Sequence, residues 1–410
     1  MNQNRTISYK KYYPTAFILY ISFFIHGIGV SILGQYKQNF AQMWGAPLLN
    51  DGTFDVSSVL VVIAALGLGR LITLPISGPV SDKFGRKISA LIGVLCYAIY
   101  FVGIVFAPNM YVAYAFALFG GAANSFIDTG VIPACLEIFV ESSGLATMLT
   151  KFAVSIGQLL LPTMIGFVAA NNMSFKSIFY LMAALIIIDG ILIALMPMPP
   201  MTSSTAKTDK PVKKEKMKFS LTSIALICIG FTCTSTFQLW LNCNQEFGKL
   251  VGLADPSKIQ SYYSLGTIIA VILTAYLVKG KVKPVRILAI YPTIATVMLL
   301  AVYFIQSPTV TLIGGFVIGF SAAGGVLQLA TSTANDMFPT NKGKITSIIM
   351  IASSLANYII LNIAGSITKA GGVDGPKHVI LFNVGITLVG VVLALYVNLK
   401  YKEDEKVAIA

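Results

Sequence analysis

The chain has 410 residues, of which 56% are hydrophobic and only 11% charged. A soluble domain carries about 25% charged residues, so a water-facing surface is excluded and lipid is the natural solvent. The net charge of +13 does not point to nucleic acid, because the basic residues are not interleaved with aromatic ones on one soluble surface.

A basic start up to Lys11 precedes an apolar run from Pro14 to Gly34. That run is too long for a signal-peptide core and no small-x-small cleavage site follows, so it predicts a retained first spanning helix. Apolar runs of about 20 residues then recur along the chain. They predict helices over 14–37, 56–79, 88–106, 110–135, 144–169, 174–196, 219–245, 258–279, 285–305, 309–334, 343–368 and 376–399. No stretch alternates as a strand would. The expected fold is all-α and integral to the membrane, with twelve transmembrane helices.

Residues 197–218 interrupt this series with Pro, Ser, Thr and Lys. They read as a cytoplasmic linker between an N-terminal six-helix bundle, 1–196, and a C-terminal one, 219–410. Most of the 29 lysines and arginines fall on one side of the helices: Lys10, Lys11, Lys83, Arg86, Lys87, Lys151, the lysines of 207–218, those of 279–283 and Arg286 among them. The other side holds Lys37, Lys176, Lys249, Lys258, Lys369 and Lys377. This bias predicts a cell (cytoplasmic) membrane protein with both termini in the cytoplasm. The five cysteines, Cys96, Cys135, Cys228, Cys233 and Cys243, form no CxxC or Cys/His cluster and are expected as packing residues rather than metal ligands.

The two halves resemble each other at a shift of about 200 residues, as transporter repeats do. Phe119 to Asp128 lies over Phe320 to Gln328, and Gly144, Ser155, Gln158 and Gly166 fall on Gly343, Ser354, Asn357 and Gly365. Such halves can rock about a central cavity.

Between the second and third predicted helices stands Gly78-Pro-Val-Ser-Asp82-Lys83-Phe84-Gly85-Arg86-Lys87. Gly78 lets another helix approach and Gly85 permits a tight turn. The segment resembles the GxxxD(R/K)xGR(R/K) signature of the major facilitator superfamily. The resemblance implies a transporter with a small-molecule substrate. It also implies a gating network of Asp82 and Arg86 with neighbouring helix ends, Glu137 being the candidate partner. In that family the network locks the outward-open state.

Two motifs of drug/proton antiporters look absent. Phe116 stands where their fourth helix carries Arg four residues before Gly120, and Gly157 to Gly166 is a distant echo of their fifth-helix motif. Ile32 to Phe40 and Gly120 to Gly130 are more similar to the fucose-permease type of proton symporter. In those permeases an acidic residue at the position of Asp128 takes part in proton coupling. Their second carboxylate, in the first helix, has Val30 near its place here.

A charge at a helix centre costs roughly 2.5–3.5 kcal/mol to insert, so Arg70, Asp128 and Asp189 need a reason. Arg70 precedes Gly78 by eight residues and Asp128 precedes Glu137 by nine, which sets both roughly 12–14 Å from the same end at ~1.5 Å per residue. Equal depth predicts that they pair. Arg70 is also expected to be able to hold a substrate carboxylate. His26, in the middle of the first helix, can exchange protons near neutral pH. Asp189 is expected to be structural or to snorkel. Neutral polar residues in the helices mark an expected substrate site: Asn124, Gln158, Gln238, Trp240, Asn242, Gln328 and Asn357.

The expected function is a secondary active transporter. In this reading it is a proton-coupled symporter that imports a small polar metabolite, either a sugar-like compound or an organic acid. The alternative is a proton-coupled antiporter that exports a drug or metabolite. Asp128, Arg70 and His26 are the expected proton-coupling residues, and the proton is the coupling ion, with no other cofactor. The partners are the substrate and the lipid bilayer, with no nucleic acid, and the protein is expected to be monomeric. No nucleophile/base set, phosphate loop or metal cluster points to an enzyme.

Overall fold

The computed structural model describes residues 9–50, 52–139, 143–200, 217–280, 282–338 and 341–409. Most of the linker segment 197–218 lies outside the described residues.

The described residues form an all-α membrane protein without strands. Six helices come before the linker: α1 (Tyr13–Gln35), α2 (Ser57–Phe84), α3 (Arg86–Phe106), α4 (Met110–Ile138), α5 (Ser143–Ala170) and α6 (Lys176–Leu195). Six follow it: α7 (Leu221–Leu250), α8 (Lys258–Gly280), α9 (Pro284–Ile305), α10 (Pro308–Met337), α11 (Lys342–Gly371) and α12 (Gly375–Ile409). By length and hydropathy these make 11 membrane-crossing stretches, because a three-residue turn at Gly372–Asp374 joins α11 to α12 within the last. Large apolar side chains such as Phe17, Leu195, Phe304 and Leu399 are exposed on the outside. Water would not tolerate such a surface, but hydrocarbon does.

The two halves repeat one packing scheme. In the first, α2 packs on α4, α3 on α4 and α6, and α1 on α5. In the second, α8 packs on α10, α9 on α10 and α12, and α7 on α11. The halves meet through α2 with α11, α5 with α8, and α1 with α7.

Glycines set the closest of these approaches. A β-carbon at Gly121 of α4 would collide with the Leu66 carbonyl and lie 2.6 Å from the Arg70 amide nitrogen of α2. One at Gly69 would run into the Leu118 backbone in return. Gly266 of α8 and Gly319 of α10 repeat this relation, against the backbones of Phe316 and Tyr263. Small residues let membrane helices touch backbone to backbone, where packing rather than the hydrophobic effect holds them.

Helix limits differ from the sequence expectations in three places. The first helix ends at Gln35, and Lys37–Met43 forms a separate short helix. The second continues past 79 to Phe84, so Asp82 is helical as well as Gly78, with two internal prolines, Pro75 and Pro79. The tenth is not continuous: a π-helical turn at Gly319–Ala323 leads to Gly325 with φ of +115° before the helix resumes at Val326. Thr267 and Thr274 of α8 donate to the Gly319 and Gly324 carbonyls, each at 3.1 Å, and so satisfy groups the break leaves open. Asp189 does not snorkel. It is 1% exposed and accepts a hydrogen bond from Ser22 of α1.

Gly121→Ala is expected to lower stability by about 1–3 kcal/mol through overpacking. Gly166→Ala, where an added β-carbon meets nothing within 4 Å, should leave stability unchanged or slightly raised. Thermal unfolding of both purified variants checks this, and equal melting temperatures would remove the close approach of α2 and α4 as a constraint.

Candidate functional site: a cavity between the two halves

A cavity of about 530 Å³ lies between the halves, within the ~300–1,000 Å³ range of small-molecule sites. From the first half it is lined by His26 of α1, Arg70 of α2, Asn124 and Asp128 of α4, and Lys151 and Gln158 of α5. The second half adds Gln238 of α7, Gln328 of α10 and Asn357 of α11. The repeat-related pairs Asp128/Gln328 and Gln158/Asn357 thus face one space.

Local packing explains the placement. The Gly69–Gly121 contact brings α2 against α4 one residue from Arg70. Arg70 Nη2 donates to Asp128 Oδ2 at 2.7 Å, with the two side chains 18% and 20% exposed. The pair engages that one guanidinium nitrogen, and Nη2 also contacts the Met350 sulfur of α11 at 3.8 Å. A second close contact, Gly27 against Val154 and Gly157 against Phe24, joins α1 to α5 and sets His26 near Lys151. The His26 Nδ1 atom hydrogen-bonds the Tyr97 hydroxyl of α3, so the imidazole is anchored on its far side. Gln158 donates to Ser31 at 3.0 Å, and Thr234 to Ser353 at 2.9 Å. Asn357 Oδ1 is buried with no hydrogen-bond partner among the described residues.

The cavity reaches one end of the bundle, where Gly78, Asp82 and Arg86 line it with Thr346 and Ser347 of α11. Gly85, with φ of +99°, makes the turn that points Arg86 back at α2. Arg86 Nη1 donates to Asp82 at 2.6 Å and to Ser81 at 2.9 Å. Arg86 Nε lies 3.5 Å from Glu137, an ion-pair distance too long for a good hydrogen bond. Gly85 and Glu137 stand behind the wall rather than on it. Among the described residues every partner in this network belongs to the first half, so it ties α2, α3 and α4 together beside the open cavity, and Arg86 meets both Asp82 and the expected partner Glu137.

The opposite end is shut. Gly67 packs against the Asn357–Tyr358 backbone, and Gly365 against Ser57 and Leu60, bringing α2 and α11 together. Lys37 Nζ donates to Glu246 Oε2 of α7 at 2.6 Å and also to the Asn242 carbonyl. Gln35 and Gln245 meet beside them, also at 2.6 Å. Lys37 is only 1% exposed, so it is not the outer surface charge that the sequence suggested.

Two expected substrate residues are elsewhere. Trp240 is buried against Gly314 of α10. It stands two residues after Gln238, a rotation of about 200° that carries it to the other face of α7. Asn242 shares the face of Gln238 but lies one turn further, under Gly34, bonded to Gln238 and the Lys37 ammonium. Lys151, expected on the cytoplasmic surface, lines the cavity instead. Its depth was readable: eight residues into α5, roughly 12 Å at ~1.5 Å per residue, it matches Arg70 and Asp128.

The family model of the Major Facilitator Superfamily matches residues 13–360. The chain is 35% identical to the uncharacterized MFS-type transporter YfkL of Bacillus subtilis, covering 95% of this chain and 97% of that one. It is 32% identical to the inner membrane transport protein YdiN of Escherichia coli, covering 96% and 93%. A D-xylose-proton symporter crystal structure superposes with TM-score 0.75 at 17% identity, covering 93% of this chain and 96% of that one. The E. coli fucose:proton symporter does so with 0.62 at 14%, covering 95% and 99%. At these identities the solved structures speak for the fold alone. The match to the family model over most of the length, together with relatives above 30% identity end to end, makes the chain a multi-pass membrane transporter of the Major Facilitator Superfamily.

Proposed function

We propose that this chain is a proton-coupled symporter that imports a small polar metabolite, a sugar-like compound or an organic acid, by alternating access. The observation that carries the proposal is the cavity itself: closed at one end, open at the other, with an ion pair in its wall. With both termini in the cytoplasm, as the Lys/Arg bias favours, the open end faces inward. The Lys37–Glu246 pair then latches the outer side. Rocking of the halves breaks that latch and lets the α4–α5 and α10–α11 ends close over the opposite mouth.

Arg70 and Asp128 supply the coupling. An unpaired carboxylate in a low-dielectric cavity favours its neutral form, and an adjacent guanidinium favours the charged one. Separation of the pair by substrate or by rocking drives Asp128 to take a proton, and re-pairing expels it. His26, held by Tyr97 and facing the same space, is the relay candidate. The D-xylose-proton symporter and a nucleoside transporter NupG, both similar in fold, are named for small polar cargo, which fits a wall of amides and hydroxyls. Two curated relatives, YdiN and YdiM, are named inner membrane transport proteins, in keeping with a place in the cell membrane.

Two outcomes check this reading. In proteoliposomes, Asp128→Asn should abolish accumulation driven by an imposed pH gradient while counterflow exchange of the same labelled solute continues. Undiminished accumulation removes Asp128 from coupling. Glu246→Gln should weaken closure of the outer end, since removing one partner of a buried pair costs about 3–5 kcal/mol. Thiol labelling of a cysteine placed at Gln245 should rise in that variant, and K37E combined with E246K should restore the slow rate. Equal labelling of variant and parent would mean that the pair is no latch.

A further inference from the structure

The charges that face the cavity are Arg70, Arg86 and Lys151 against Asp82 and Asp128. Asp82 is bound by Arg86, and Asp128 by Arg70. Lys151 is left over: it has no hydrogen bond or ion pair with any described residue. Asp128 and Arg70 both act on it electrostatically, one attracting and one repelling, so it shares their region of the cavity. The nearby His26 is half satisfied by Tyr97 and adds no fixed charge.

A lone ammonium near the middle of a membrane protein carries the full insertion penalty unless an anion matches it. Asp128 is engaged by Arg70 and no other described residue supplies an anion, so the matching charge is assigned to the ligand. We propose that Lys151 and Arg70 together bind the carboxylate of a monoanionic organic acid, which makes Lys151 the residue that selects an anion over a neutral sugar.

With Asp128 ionised and held by Arg70, one negative charge neutralises the cavity wall, whereas a neutral compound leaves Lys151 unmatched. Lysine acts as a point charge, while arginine offers a planar fork of which only Nη2 is engaged by Asp128. The carboxylate therefore sits between an ammonium and the free edge of a guanidinium. Gln158, Gln238, Gln328 and Asn357 line the rest of the space and suit hydroxyls on the body of the acid. This assignment rests on the transport reading for its biological meaning, but its test is a binding measurement.

The purified full-length protein in nanodiscs is titrated with lactate, glycerate, gluconate and benzoate, each beside its neutral amide, and thermal stability is read. At least one carboxylate is expected to raise the melting temperature, and its amide is not. Lys151→Gln should weaken that carboxylate by about tenfold or more, the scale of a lost hydrogen bond to a charged group, and Lys151→Arg should retain most of the affinity. Should Lys151→Gln not fold, Lys151→Met is the second neutral variant. The proposal is overturned if no carboxylate stabilises the protein, if amides stabilise it equally, or if the neutral variants bind the acid as the parent does. Counterflow in proteoliposomes separates the two levels. Binding without exchange removes transport and keeps the anion site, whereas exchange of neutral solutes alone removes the anion site and keeps transport.

Discussion

Each ionisable group set into this membrane protein needs a counter-charge or a polar partner, and meeting that need organises the structure. At the closed end Lys37 finds Glu246 across the two halves. At mid-depth Arg70 finds Asp128 within the first half. At the open end Arg86 holds Asp82 and Glu137. Asp189, which has no ion pair among the described residues, is met by the Ser22 hydroxyl. These partners tie together helices that lipid alone gives little reason to associate. The glycine contacts act with them, because a side chain at Gly121 would push Arg70 away from Asp128.

Much of this is legible in the sequence. The twelve apolar runs need no tertiary information, since hydrocarbon thickness alone sets their length. The Arg70–Asp128 pair follows from equal depth on two helices. What escaped was decided by partners far away in the chain. Lys37 looks like an outer loop residue until Glu246, 209 positions on, is placed beside it. Lys151 resembles an ordinary helix-end lysine because the limits of α5 are uncertain by a turn in sequence alone. Trp240 was misplaced by helix phase, and Asn242 by the closing of α1 over α7, which is a property of the conformation. The break in α10 carries a sequence trace, Gly324-Gly325, but its π turn depends on the threonines of α8.

The conformation is as informative as the fold. The Gly78–Lys87 segment keeps its charges paired inside one half while the cavity is open beside them. Its role in this state is to brace α2, α3 and α4 as a unit. At the other end a lysine, a glutamate and two glutamines do bridge the halves. Among the described residues, the ion pair that bridges the halves therefore lies where the molecule is shut.

The two halves also contribute different chemistry to the cavity. Among the described residues, every formal charge on its wall comes from the first half, and the second offers amides, hydroxyls and apolar groups. A substitution at Gln238, Gln328 or Asn357 therefore disturbs no ion pair. In engineering terms the first half works as an electrostatic engine and the second as a mould. A lineage can refit the body of its cargo by altering amides on one side while the apparatus that holds the charge stays intact on the other.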